Sequence, residues 1–352
     1  MVTTTRVLIV GAGAIGGVLA VHLAELGAEV HVLTTNHHIA AALRAQGARL
    51  RVDGSATPVG LAGVHEHLDD HLPPFEFVLL ATQPPQVEDA ARSALPWLAA
   101  AGRMVVLQNG LCEERIARIA GPQRVVGAVV AWGASMVEPG LYDRTSAGGF
   151  SIGRLDGAVD APLESLATLL ESVGPVTVSR NLPGLRWSKL AINCVVSTLG
   201  TIGGDRLGAL LRHRFVRRLG LEIMTETVAV ARAEGVRLEK VSGTFDLEWL
   251  ALSPEEREKV GSPSLVAKHT LLLAVGARYR RLRSSMLSAI ERGRTPAVDF
   301  LNGEVVDRGA RHGLPTPVNA AARELVWSIS RKERSSGLDT LRGLHHATRR
   351  LS

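Results

Sequence analysis

Along its first half the chain alternates short runs of branched apolar residues with stretches whose apolar positions recur every three or four residues. That alternation predicts strands and helices in turn. Val7-Leu8-Ile9-Val10 reads as the first strand, and Ile15, Leu19, Leu23 and Leu26 mark a helix after it. Residues 28–33 form a second strand, and residues 49–52 and 56–59 a short hairpin. Residues 75–81 form a buried strand that ends at Thr82-Gln83-Pro84-Pro85-Gln86, before a helix starting near Val87. A strand over 103–107 ends in Gln108-Asn109-Gly110, ahead of a helix over 112–119. Strands alternating with helices imply a parallel sheet with right-handed crossovers. From 124 to 153 the pattern is β-rich, with a turn at Glu138-Pro139-Gly140, and reads as an antiparallel finish to that sheet. A helix over 162–173 and a strand over 176–179 close this domain. Beyond the joint Asn181-Leu182-Pro183-Gly184 the pattern is helical almost to the end. The expected division is an α/β domain over 1–181, an all-helical domain over 182–330 and a basic tail over 331–352.

The first strand runs into Gly11-Ala12-Gly13-Ala14-Ile15-Gly16-Gly17. Gly11 allows a tight turn, Gly13 lets backbone approach a pyrophosphate, and Gly16 lets the helix pack closely on the strand. The helix N-terminus then directs N–H groups at phosphate. Strand, turn and helix together make residues 11–16 a dinucleotide site rather than a merely structural turn. Ligands of parallel sheets lie at the carboxyl ends of the strands, so Gly11, Gln83 and Asn109 should converge. Asn109 has a structural alternative, as a cap for the helix after it. The residues after the second strand are Thr34, Thr35, Asn36 and His37. They offer neither the acid that suits NADH nor the arginine that suits NADPH, and this turn leaves the cofactor open.

In the second half, Lys189, Asn193 and Ser197 are spaced i, i+4, i+8 and project from one helix face. Lysine and asparagine are costly to bury without partners, so this face should line a cleft rather than a core. Arg283-Ser284-Ser285-Met286-Leu287 follows later, and then Thr295 and Pro296, which read as the N-cap and first turn of a helix. Asp299 in that turn suits the helix dipole, a structural role as plausible as a functional one.

Composition narrows the class. At 352 residues and 46% apolar content, the chain can bury two cores. Its apolar runs are too short to span a membrane, and no secretory leader is expected ahead of the glycine turn. Cys112 and Cys194 suit a reducing compartment and form no metal pattern, so a cytoplasmic protein with no metal is expected. The net charge of +6 is concentrated in residues 331–352, which hold six basic residues and two acids. No aromatic interleaving accompanies them, and a solvated, partly helical tail is expected rather than a nucleic-acid surface.

Taken in order, Gly11–Gly17, Gln108-Asn109-Gly110, Pro139-Gly140, Trp187-Ser188-Lys189-Leu190-Ala191-Ile192-Asn193, Ser284-Ser285-Met286-Leu287 and Val298-Asp299-Phe300-Leu301-Asn302-Gly303 resemble the ketopantoate reductase (2-dehydropantoate 2-reductase) family over about residues 5–325. The lysine helix with Ser-Ser-Met-Leu is the specific part. The resemblance implies a Rossmann-type domain, a helical domain and NADPH-dependent reduction of a 2-oxo acid in a cleft between them. Lys189 matches the family's catalytic lysine. Asn109 and Asn193 match residues near nicotinamide and substrate, and Ser285 matches a substrate-contacting serine. Ser197 stands where the family has a second asparagine, Leu207 near another, and Ala297 at a glutamate, leaving Asp299 as the nearest acid. Thr35 and Gln83 occupy the places of a cofactor-side arginine and lysine. The 245–270 stretch looks longer than the family's connection. It is read as a lid, with His269 a weak candidate for a replacement polar group.

The expected function is reduction of a small 2-oxo acid, best 2-dehydropantoate, by NADPH with NADH not excluded. Two rivals stand beside it: a related enzyme with another 2-oxo or 2-hydroxy acid, and a non-catalytic dinucleotide sensor. Helical second domains of this kind often pair, which leaves a homodimer open.

Overall fold

The computed structural model describes residues 4–240, 246–258 and 261–349. Contacts divide the chain into Met1–Gln108 with Cys112–Leu182, and Asn109–Leu111 with Pro183–Ser352.

In the first unit, β1 (Arg6–Val10) precedes α1 (Ala14–Glu25), β2 (Glu29–Leu33), α2 (His37–Gln46), β3 (Ala48–Val52), β4 (Ser55–Val59), β5 (Gly63–His65) and β6 (Phe75–Leu80). The chain continues through α3 (Val87–Ala94), β7 (Leu98–Val106), α4 (Glu113–Ala120), β8 (Val125–Val130), β9 (Gly133–Glu138) and β10 (Leu141–Ser146). It closes with β11 (Phe150–Gly153), α5 (Ala161–Glu171) and β12 (Val176–Val178). The larger sheet has the order β12-β11-β8-β7-β6-β1-β2-β5. Val7 of the central strand lies opposite Val30 on one side and Phe77 on the other, both in parallel register. Its neighbours Leu8, Ile9 and Val10 are buried too, as a parallel strand covered on both faces requires. The six strands from β5 to β8 have the doubly wound order whose ligands lie beyond the strands' carboxyl ends. β11 pairs with β8 antiparallel, as the β-rich pattern predicts.

The β9–β10 hairpin does not extend that sheet, contrary to the expectation of one antiparallel finish. It joins the β3–β4 hairpin in a separate sheet ordered β4-β3-β10-β9, with β10 parallel to β3. Helix α1 packs on the small sheet as well as on the large one, which explains why its sequence is apolar on all sides. A Cβ at Gly17 would lie 2.0 Å from Cζ of Tyr142 on β10. Tyr142 is fully buried and donates its hydroxyl to the Ala12 carbonyl at 3.1 Å. Burial pushes its pKa up to about 12.

The second unit is helical: α6 (Leu182–Gly203), α7 (Leu207–Leu210), α8 (Arg214–Ala233), α9 (Leu247–Leu250), α10 (Pro254–Glu258), α11 (Pro263–Arg278), α12 (Ser285–Glu291), α13 (Asn302–Arg311), α14 (Pro317–Ser330) and α15 (Leu338–Thr348). Within the joint 181–184, Leu182 to Gly184 form the first turn of α6. Pro183 is tolerated there because the first turn has no intrahelical partner for its N–H. Leu190, Cys194 and Leu199 of α6 pack with Val216 and Ile223 of α8, Val326 of α14, and Leu341 and Leu344 of α15. Each buried aliphatic side chain contributes roughly 1.5–3 kcal/mol.

Three local expectations change here. Residues 338–348 are not a solvated tail, because Leu341 and Leu344 sit in the helical core. The described part of 245–270 is likewise packed rather than lid-like, although Phe245, Lys259 and Val260 lie outside the described residues. Leu247, Leu250 and Leu252 are buried, and Leu252 N–H donates to Thr225 Oγ1 of α8 at 2.8 Å. Finally, Pro296 rather than Thr295 precedes the helical turn at Ala297–Phe300, which is 3-10 in form. Leu301, at φ −118° and ψ −98°, breaks it from α13.

Candidate functional site

On the sheet unit, β1 and β2 end together, with Gly11 N–H donating to the Leu33 carbonyl at 2.8 Å. Gly11 has φ +105°, and a Cβ there would meet the Ala81 backbone at 2.9 Å. A Cβ at Gly16 would lie 1.9 Å from the Gly11 carbonyl oxygen. The protein's own packing therefore demands both glycines. Gly13 is different: a Cβ there would meet nothing within 4 Å. Its missing side chain leaves open backbone at the N-terminus of α1, where Gly13 itself is the cap residue. That opening fits a dinucleotide pyrophosphate, which residues 11–16 would hold through backbone N–H groups. Gly13→Ala should accordingly leave the melting temperature unchanged while weakening cofactor binding about tenfold, near 1.4 kcal/mol. Gly16→Ala should lower the melting temperature itself. Differential scanning fluorimetry with and without cofactor separates the two outcomes.

Around the turn, Thr34 is buried while Thr35 and Gln83 are exposed. Asn36 is used structurally, its side chain accepting from Ile39 N–H at the start of α2. Near the end of β5, Glu66 takes hydrogen bonds from Arg44 at 2.8 Å and His37 at 3.2 Å. Those bonds, Arg44's foremost, hold the Glu66 carboxyl below its ordinary value. Gln108, to which the sequence assigned no role beyond its Gln-Asn-Gly motif, is buried and donates to the carbonyls of Leu80 and Thr82. It ties the end of β7 to the end of β6.

In the helical unit, Lys189, Asn193 and Ser197 are all half-buried on α6, whereas the intervening Leu190, Cys194 and Thr198 are buried. The three share one partly open face, as their spacing predicts. Asn193 Nδ2 is buried and has no hydrogen-bond partner among the described residues. A donor left in this condition is costly unless something else accepts from it. The opposite side of α6 is fixed by a polar chain that the sequence did not reveal. Thr198 Oγ1 donates to Asn302 Oδ1 at 2.5 Å, and Asn302 Nδ2 donates to Asn319 Oδ1 at 2.9 Å. Glu226 accepts from Asn319 Nδ2 at 2.7 Å and from the backbone N–H groups of Val318 and Asn319. Burial raises the pKa of Glu226 despite those bonds. Asn302 lies in the 298–303 motif; its partners on α6 and α14 are too distant in sequence to be read from it.

Ser284, not Ser285, ties α12 to α6. Its hydroxyl contacts Thr201 Oγ1 at 2.9 Å and donates to the Ser197 carbonyl at 2.8 Å. Ser285 is exposed at the first turn of α12. Asn109 is exposed in a loop that belongs, by its contacts, to the helical unit. There a Cβ at Gly110, φ +101°, would lie 2.5 Å from the Phe300 carbonyl oxygen. The residue before α4 is Cys112. Asp299 accepts from Arg323 Nε at 2.6 Å and Trp327 Nε1 at 3.1 Å, which makes it a structural tie. Leu207 is core, and Ala297 carries no polar group to the turn. His269 is buried in a different part of the unit, among arginines of α8.

An open glycine turn on a doubly wound sheet and a lysine-bearing helix face with an unsatisfied amide define a class, the dinucleotide-dependent oxidoreductases. Family models described as ketopantoate reductase PanE/ApbA match residues 7–157 and, for the C-terminal part, 181–329. The chain belongs to the ketopantoate reductase family. It is 26% identical to a 2-dehydropantoate 2-reductase of Pyrococcus horikoshii, over 94% of this chain and 98% of that protein. A crystal structure of a PanE/ApbA family ketopantoate reductase from Ralstonia eutropha superposes with a TM-score of 0.77 at 27% identity, covering 93% of this chain and 99% of that one. The same fold is seen, at 19% identity and TM-score 0.77, in D-mandelate dehydrogenase with NADH and anilino(oxo)acetate, covering 93% and 99%.

Proposed function

We propose that this protein reduces 2-dehydropantoate to (R)-pantoate with NADPH, using Lys189 as the proton donor. The observation that carries the reading is the half-buried Lys189–Asn193–Ser197 face, with its unsatisfied Asn193 amide, in a chain related along nearly its whole length to proteins named for that reaction. The bound nicotinamide would supply the hydride. Reduction of the keto carbon builds negative charge on its oxygen, which the Lys189 ammonium stabilises and then protonates through Nζ. Asn193 Nδ2 supplies a donor one helical turn away, suited to a carboxylate or hydroxyl oxygen of the same substrate. Ser197 and the exposed Ser285 and Asn109 complete the candidate substrate set. Residues 11–16 would hold the pyrophosphate, with Thr35, Gln83 and Asn109 beside the rest of the cofactor.

A second reading, another small 2-oxo acid, is favoured by Asp299. Its carboxylate is taken by Arg323 and Trp327 and does not replace the polar group missing at Ala297. A lost substrate hydrogen bond weakens discrimination by roughly 1–3 kcal/mol without touching hydride transfer. NADH is the corresponding alternative for the cofactor, because Thr35 brings no cation and the Glu66 carboxyl, held below its ordinary value, is hydrogen-bonded to His37 two residues further on. Initial rates with 2-dehydropantoate and a panel of 2-oxo acids, each with NADPH and NADH, test both points. Turnover of 2-dehydropantoate at the highest kcat/KM supports the proposal. No turnover of it with either cofactor removes the substrate assignment.

A further inference from the structure

The helical unit also carries a solvent-open cavity of about 870 Å³ bounded by α8, α10, α11 and α15, which neither Lys189, Asn193 nor Ser197 lines. Its size is that of a small-molecule pocket rather than of a single ion. Five arginines border it: Arg214 and Arg218 on α8, Arg257 on α10, Arg342 on α15 and Arg349 just beyond α15. The acids in the lining are Glu222 and Glu258. Glu222 is shared, at 2.6 Å from Arg218 and 3.7 Å from Arg257. Positive charge therefore exceeds negative charge around a concave surface, where the field is focused and an anion is concentrated.

Two further observations point to a ligand. His269 is buried against the cavity, and its Nδ1 has no hydrogen-bond partner among the described residues. Burial, followed by the charges of Arg217, Arg214 and Arg218, holds its pKa down to about 4. Those guanidiniums crowd one another as well, since burial and Arg214 both lower the pKa of Arg217. The remaining wall is apolar and aromatic. Leu219, Leu265 and Val318 line it, and Phe215 stands with His345 at a ring-centroid distance of 5.8 Å.

We propose that this cavity binds a nucleotide-sized anion carrying at least two phosphate groups, at a site separate from the oxidoreductase site. Guanidinium forks match phosphate oxygens with paired hydrogen bonds, and the Phe215–His345 wall offers a stacking surface for an aromatic body. Bound phosphate adds a negative charge beside His269, which must raise the imidazole pKa. His269 thereby becomes a local reporter. Arg214, Arg217 and Arg218 of α8 act on it directly, and the other titratable groups around the cavity are His213, Glu222, Arg257, Glu258, Arg342, His345 and Arg349.

The test is a titration of the full chain with inorganic pyrophosphate and, separately, ADP, followed by histidine NMR with His269 assigned through His269→Gln. Both probes should move the His269 signal in a saturable way and raise its pKa by about one unit or more, with ADP acting at the lower concentration. Arg214→Gln with Arg342→Gln, both at exposed positions, should weaken either response at least tenfold while preserving the melting temperature and the oxidoreductase rate. A His269 signal that ignores both probes overturns the proposal, even if either binds at the glycine turn. So does a response that survives intact in the double variant. A signal that shifts with protein concentration instead would assign the cavity to a second copy of the chain, and would also overturn it.

Discussion

Replacing Lys189 by alanine is expected to lower kcat by about two to four orders of magnitude, the usual range for loss of a positioned proton donor. Half-burial on α6 places the ammonium where it can reach a ligand while shielded from bulk water, and the neighbouring Asn193 amide fixes where an oxygen would sit. Cofactor protection against thermal unfolding should stay as in the wild type, because the glycine turn lies in the other unit. Lys189→Arg is the discriminating control. It keeps the positive charge, but its guanidinium holds the proton too tightly to donate it. Charge stabilisation alone would let Lys189→Arg recover most of the activity, whereas proton donation predicts that it stays impaired. Steady-state kinetics of the two variants, with near-normal turnover of Lys189→Ala as the overturning result, decide the role.

Lys268→Met is expected to destabilise the helical unit by about 3–5 kcal/mol, since it strands a carboxylate in the interior. Lys268 and Glu256 are both about 95% buried, with Nζ 2.5 Å from Oε2, and Nζ also donates to the Ala251 carbonyl at 2.8 Å. Burial pushes the Glu256 carboxyl up, but hydrogen bonds from Lys268 and the Ser253 N–H outweigh it and hold the group below its ordinary value. Stability from this pair is therefore present above the unfolded carboxylate pKa and is lost as pH falls through the lower folded value. Urea denaturation should show the loss in Lys268→Met at neutral pH and much of it recovered in Lys268→Met with Glu256→Met. An unchanged unfolding midpoint in the single variant would mean that water reaches the pair.

What the sequence revealed and what it hid divide along the range of the interactions. The β1 run and the glycine turn were legible because strand, turn and helix follow one another without a break in the sequence, and the close approach of Gly16 to the Gly11 carbonyl lies within that unit. The face carrying Lys189, Asn193 and Ser197 was legible from spacing alone. Tyr142 was not: its place beneath Gly17 depends on two hairpins, about 90 residues apart, meeting in the small sheet. Asp299 read ambiguously because Arg323 and Trp327, which claim its carboxylate, sit a helix away. The choice between Ser284 and Ser285 turned on which serine starts α12, a one-residue question of the kind that local patterns leave open. In α15 the charge count obscured the signal, since Leu341 and Leu344 are buried in the core while Arg342, and Arg349 just beyond the helix, are exposed at the border of the cavity.

The double covering of α1 bears on how far the nucleotide-binding half can be separated from the rest of its unit. One flank of that helix is closed by β3, β9 and β10, and Gly17 touches a ring contributed about 125 residues downstream. A fragment ended after β8 would retain all six parallel strands and the whole glycine turn, yet leave α1 covered on that flank by the β3–β4 hairpin alone, without β9, β10 and the Tyr142 ring. The portable module for fusion or domain exchange is therefore the chain through β12, with the small sheet included.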